Sequence, residues 1–158
     1  MKSIKQEQNK VTGIVALSLA ITGILLSLIP RPFLAGFGIS LLVLGGISGL
    51  RALFSGFLFY AFGESDPLKN AVLQREENPD SEIGRKKLIR RKRWNFVWAG
   101  FSFFFLAVAL SLVIIASQAD SPGLLGASGG ASLALAVIHV QSLYFGIKTD
   151  QILSGSRK

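Results

Sequence analysis

An arginine within an apolar run, the only histidine and a run of basic residues are the side chains in this sequence best suited to chemistry. Arg51 interrupts an apolar run from Pro32 to Gly63, flanked by Gly49, Leu50, Ala52 and Leu53. His139 stands with Gln141 and Tyr144 in a second run without Lys, Arg, Asp or Glu, from Ser121 to Ile147. Seven cations, Arg85, Lys86, Lys87, Arg90, Arg91, Lys92 and Arg93, precede Trp94. Arg51 could attract an anion or a carboxylate. His139 could ligate a haem or chlorophyll metal, relay a proton or hydrogen-bond a neighbouring helix. The basic run could hold an anionic lipid surface or an acidic partner.

The missing partners constrain these options. His139 is the only histidine and there is no cysteine, which removes disulfides, thiolate metal sites and a cysteine nucleophile. No second ligand accompanies His139, so no cofactor is expected, although a haem or chlorophyll on that residue stays open. No GxSxG, HExxH or phosphate-cradling glycine loop occurs, and the expectation is a protein without catalytic activity. No Asp or Glu lies within an apolar run, so proton-coupled transport through an intramembrane carboxylate is disfavoured.

The elements that would position these residues follow from how charge is distributed. Charged residues make up 16% of the 158, against about 25% in ordinary soluble domains, and mean hydropathy is +0.50. Val11 to Pro30 and Trp94 to Ala119 carry no charge. Such runs approach or exceed the roughly 20 residues that cross about 30 Å of hydrocarbon. The expected fold is therefore all-α, an antiparallel bundle of four transmembrane helices made of two hairpins. Residues 1–63 form an arm and the first hairpin, with helices at about 11–29 and 33–62. Residues 64–93 form a charged linker. Residues 94–158 form the second hairpin, with helices at about 94–117 and 124–147, and a tail. The first apolar run is too long for a signal peptide and is followed by Pro30-Arg31-Pro32, so it is expected to be retained.

Orientation follows from the basic residues. Fifteen lie in the N-terminal arm, the linker and the tail, against Arg31 alone in the two short turns. The termini and linker are therefore expected on the cytoplasmic side of a plasma or other inner membrane. The net charge of +8 is read as topology and anionic-lipid contact, with no nucleic acid partner. In the linker, Pro79 followed by Asp80 or Ser81 suggests a helix start with Glu82 in its first turn, running on into the third span.

Depth decides what Arg51 and His139 mean. Arg51 lies roughly 27 Å along its helix if that helix begins at Phe33, close enough to the headgroups to snorkel, and close to mid-depth if the helix runs from near Gly38 to Phe62. His139 lies roughly 13 Å from the boundary marked by Lys148. Arg51, His139, Gln141 and Tyr144 thus form a possible intramembrane polar cluster, although His139 and Gln141 are about 200° apart around the helix. Small residues recur at packing intervals: Gly13, Ala16, Ala20 and Gly23; Gly45, Gly49, Ala52 and Gly56; Gly126, Gly130 and Ala134. They can pack helices within the chain or against another subunit. Short matches such as Ala16-Leu17-Ser18-Leu19 with Ala109-Leu110-Ser111-Leu112, and Gly38-x-Ser40-Leu41 with Gly130-x-Ser132-Leu133, hint at a duplicated hairpin.

These features point to an accessory or scaffolding subunit of a membrane complex, contacting other membrane subunits or itself. The alternative is a small oligomeric transporter or channel with Arg51 near a polar or anion path.

Overall fold

The computed structural model describes residues 4–54 and 78–155. They form four helices: α1, Ile4–Ser27; α2, Pro32–Phe54; α3, Glu82–Gln118; and α4, Pro122–Gly155. Each is long and apolar enough to cross a membrane.

The helix ends follow local chemistry. Pro32 and Pro122 open α2 and α4, where a fixed φ suits the first turn and the missing N–H costs nothing. Ser81 caps α3, its Oγ accepting the Gly84 N–H at 3.0 Å. At the far end of α3, Asp120 has a φ of 48° and Ser121 donates its N–H to the Ala116 carbonyl at 3.2 Å. This left-handed closure satisfies a late carbonyl and turns the chain into α4.

Three helices outrun their apolar segments. α1 begins at Ile4 rather than near Val11, α3 at Glu82 rather than Trp94, and α4 ends at Gly155 rather than near Ile147. Hydropathy stops at the first charges, but the backbone ladder continues wherever polar side chains can be satisfied. Here they meet one another: Lys148 Nζ donates to both Glu7 oxygens at 2.5 and 2.6 Å, and Lys92 Nζ to Asp150 Oδ1 at 2.6 Å. Residues 82–93 of the expected linker are thus the first turns of α3.

α1 packs on α2, α3 packs on α4, and α2 joins α4 at the centre. α1 touches α4 lightly, while α2 and α3 stay apart among the described residues. The α1–α2 contact is antiparallel, because Gly23 meets Gly38 and Leu42 while Ala16 and Ala20 meet Gly45. We call the end with the two short turns the turn end and the opposite one the polar end. At the polar end Ile4, Leu88, Phe145 and Leu153 gather α1, α3 and α4.

The interior is built mainly from small residues. Ala16, Ala99, Ala109, Ala116 and Ala134 are buried, whereas Leu, Ile and Phe side chains crowd the surface of every helix. Only 17–28% of each spanning window is buried, so most of the apolar surface faces outward. A water-soluble core places its large apolar residues the other way round. The proposed repeat is not matched in environment: Leu41 is 1% exposed and its counterpart Leu133 49%.

Candidate functional site

The polar half of the bundle holds a chain of neutral hydrogen bonds across three helices. Gln8 of α1 donates through Nε2 to Asn95 Oδ1 of α3 at 2.8 Å. One turn on, Thr12 Oγ1 donates to the Gln8 carbonyl at 2.8 Å and accepts from Gln141 Nε2 of α4 at 2.5 Å. Gln8, Thr12, Ser48, Gln141 and Ser142 surround a cavity of about 30 Å³, room for one ordered water. Asn95 is 2% exposed, and its Nδ2 has no hydrogen-bond partner among the described residues. A buried donor left without a partner carries a desolvation penalty of about 1–3 kcal/mol. Lys148, bound to Glu7, also lies 5.6 Å from the centre of the Tyr144 ring.

Of the expected cluster of Arg51, His139, Gln141 and Tyr144, the three residues on α4 face different ways. Gln141 turns to α1, and His139 turns to α3, consistent with their separation around the helix. Tyr144 faces outward. Arg51 belongs to α2, but its side chain and the whole of Gly56 lie outside the described residues.

The environment of His139 restricts its chemistry. Its Nδ1 is 2.9 Å from the Ala99 carbonyl, so that nitrogen carries the proton and donates it there. Ser102 Oγ is 3.4 Å from the same nitrogen, but it donates to main-chain carbonyls of its own helix. A protonated Nδ1 cannot accept the serine proton, which rules out this pair as a nucleophile and base in this arrangement. The Nδ1–H to carbonyl bond is also how ligating histidines are commonly oriented, leaving Nε2 as the lone pair. No group of three His, Cys, Asp or Glu side chains accompanies it among the described residues. The ring rests beside Phe103, with centroids 5.6 Å apart.

The glycine stripes close the bundle. A Cβ on Gly126 would collide with the Phe33 carbonyl, and one on Gly130 would lie 2.5 Å from the Phe37 carbonyl. Gly36 meets Gly123 and Ala127 in the same α2–α4 contact. Gly23, Gly38 and Gly45 serve the α1–α2 contact, with Gly49 near Ala16 and Gly13 buried on α1. Gly146 receives the ring of Phe96.

Two open features lie among the described residues. Between α2 and α3, with α4 as its floor, runs an apolar groove of about 920 Å³. Ile39, Val43 and Ile47 form one wall, Trp98, Phe101 and Phe105 the other, and Leu135 lies in the floor. At the polar end, on the α3–α4 seam, Arg85, Lys92 and Arg93 border a pocket of about 330 Å³. Of the other basic residues, Lys86 pairs with Glu82 at 2.6 Å on the exposed surface.

The sequence reading overlooked Gln8, Thr12, Ser48, Asn95 and Ser142. For Asn95 a signal was available: Asn95, Ala99 and Ser102 repeat at four and three residues, a small and polar stripe on an otherwise aromatic helix. Comparison with protein-family models, with curated proteins and with solved structures gave no match to this chain.

Proposed function

We propose that this chain is an integral membrane protein of four antiparallel spans in two hairpins, with its polar end on the cytoplasmic side. In this reading it is a non-catalytic scaffolding subunit that receives an apolar transmembrane helix of a partner in the α2–α3 groove. The observation that carries this is the groove itself. Among the described residues α2 and α3 each rest on α4 without meeting, and the trough between them is lined mainly by apolar side chains. Lipid supplies no hydrophobic drive for helix association, so a shaped trough that gains dispersion contacts is where a further helix would be held. The outward-facing Leu, Ile and Phe side chains support insertion in hydrocarbon, and the fifteen-to-one bias of basic residues supports the orientation.

The polar chain from Asn95 to Gln141 favours scaffolding over transport. Towards the turn end it gives way to the α2–α4 backbone contact, and Ser128 and Ser132 turn their hydroxyls onto carbonyls of their own helix. A solute path would have to part that contact.

The test is photo-crosslinking after gentle extraction, with the crosslinker at Val43 in the groove or Leu17 on the outer face of α1. A distinct partner chain captured from Val43 and not from Leu17 is the expected result. Recovery as a homogeneous homodimer, with solute flux in liposomes lost on Arg51→Leu, would overturn the scaffold reading in favour of transport.

A further inference from the structure

The pocket at the polar end of the α3–α4 seam separates three basic residues from the other four of the run. Arg85, Lys92 and Arg93 line it with Ile89, Asp150 and Leu153. Asp150 is its one acid and is bound to Lys92, so the formal charge of the pocket is positive by two. Its volume of about 330 Å³ falls at the small end of the range for small-molecule sites. Its level in the chain is equally informative. Arg93 directly precedes Trp94, and half-exposed Trp94 and Trp98 mark where an apolar helix meets its interface. Below the pocket the same seam turns apolar: Phe96 lies on Gly146, and Phe103 lies beside His139.

We infer that this pocket binds the phosphate-bearing headgroup of one anionic phospholipid, whose acyl chains run down the Phe96–Phe103 seam. Arg85 and Arg93 meet the phosphate, and Lys92, held by Asp150, completes the rim. Asp150 keeps Lys92 in place while lowering the attraction for the anion. The site is discrete, unlike a diffuse basic surface, and it is separate from the apolar groove. The inference rests on the membrane-inserted reading above.

The test titrates the purified full-length protein in detergent with dioleoylphosphatidylglycerol or dioleoylphosphatidylcholine and counts retained lipids by native mass spectrometry. One retained phosphatidylglycerol, with no equivalent phosphatidylcholine, is expected. Arg85→Gln with Arg93→Gln should weaken retention about 30-fold, the equivalent of about 1 kcal/mol for each cation. Lys86→Gln with Arg90→Gln removes the same charge outside the pocket and should change retention less than about 3-fold. Asp150→Asn should strengthen it about five-fold, a change of opposite sign that misfolding would not produce. Equal losses from the two double variants would overturn the discrete site, as would equal retention of both lipids. Displacement of the lipid by excess inorganic phosphate would assign the pocket to a free anion and overturn the lipid. Alkaline extraction of the chain from its native membrane would instead refute membrane insertion, on which the inference depends.

Discussion

A methyl group added to Gly130 should force α2 and α4 apart, and the structure sets the size of the effect. An ideal Cβ there lies 2.5 Å from the Phe37 carbonyl oxygen and 3.1 Å from its carbonyl carbon and Cα, whereas ordinary contact begins at 3.4 Å. The obstacle is main chain in a helix, so no side-chain rotation relieves it. The helices must separate by about 0.9 Å at this point, and a gap of that order forfeits about a quarter to a half of each dispersion contact. Overpacking of this kind costs about 1–3 kcal/mol. Alanine also gains about 0.5–1 kcal/mol over glycine within a helix, which partly offsets the clash. Gly46 supplies the control, because a Cβ there meets nothing within 4 Å. The propensity gain is common to both variants, so the difference between Gly130→Ala and Gly46→Ala isolates the contact at about 1–3 kcal/mol. Unfolding by sodium dodecyl sulfate in mixed micelles, followed by helical circular dichroism, measures that difference. Identical midpoints for the two variants would show that α2 and α4 are not in backbone contact at Gly130, and the packing argument would fail.

The hydrogen-bond chain makes its own prediction. Gln8→Leu strands the Asn95 carbonyl beside its amide and should cost about 1–3 kcal/mol, whereas Gln8→Leu with Asn95→Leu removes donor and acceptor together and should change stability by less than about 1 kcal/mol. The same unfolding titration compares them, and a larger loss from the double variant would refute the account. Nitrogen-15 spectra of His139 should show the proton on Nδ1, and a proton on Nε2 in the neutral ring would contradict its bond to Ala99. Because the chain has no cysteine, single-cysteine variants report topology directly. A thiol at Ser121→Cys should label from outside intact cells and one at Ser154→Cys only after permeabilisation, the reverse pattern refuting the proposed orientation.

The four helices were legible because charge is excluded from long runs, and Pro79 followed by Asp80 or Ser81, with Glu82 after them, placed the start of α3 to within a residue. Their polar ends were not. Hydropathy treats Glu7, Gln8 and Lys148 as reasons to stop, while in the fold they hold α1 to α3 and α4. Spacing identified the small-residue faces but not their opposing helices. Gly126 and Gly130 serve α2 rather than the adjacent α3, which one helix's pattern cannot disclose. For His139 and Gln141 the helical phase separated the two faces correctly, but the partners, Ala99 and Thr12, depend on register between helices.

The polar chain also orders the making of the protein. Glu7 and Lys148 are 141 positions apart, and Thr12 and Gln141 are 129 apart. During synthesis from the N-terminus, α1 must wait with Glu7 and Thr12 lacking these partners until α4 has emerged, and α2 must wait for Gly126 and Gly130, which meet its backbone at Phe33 and Phe37. A nascent chain released before α4 would present unfinished polar contacts and a bare helix face together. Completion of the α1 contacts therefore depends on α4, which brings Lys148 to Glu7 and Gln141 to Thr12.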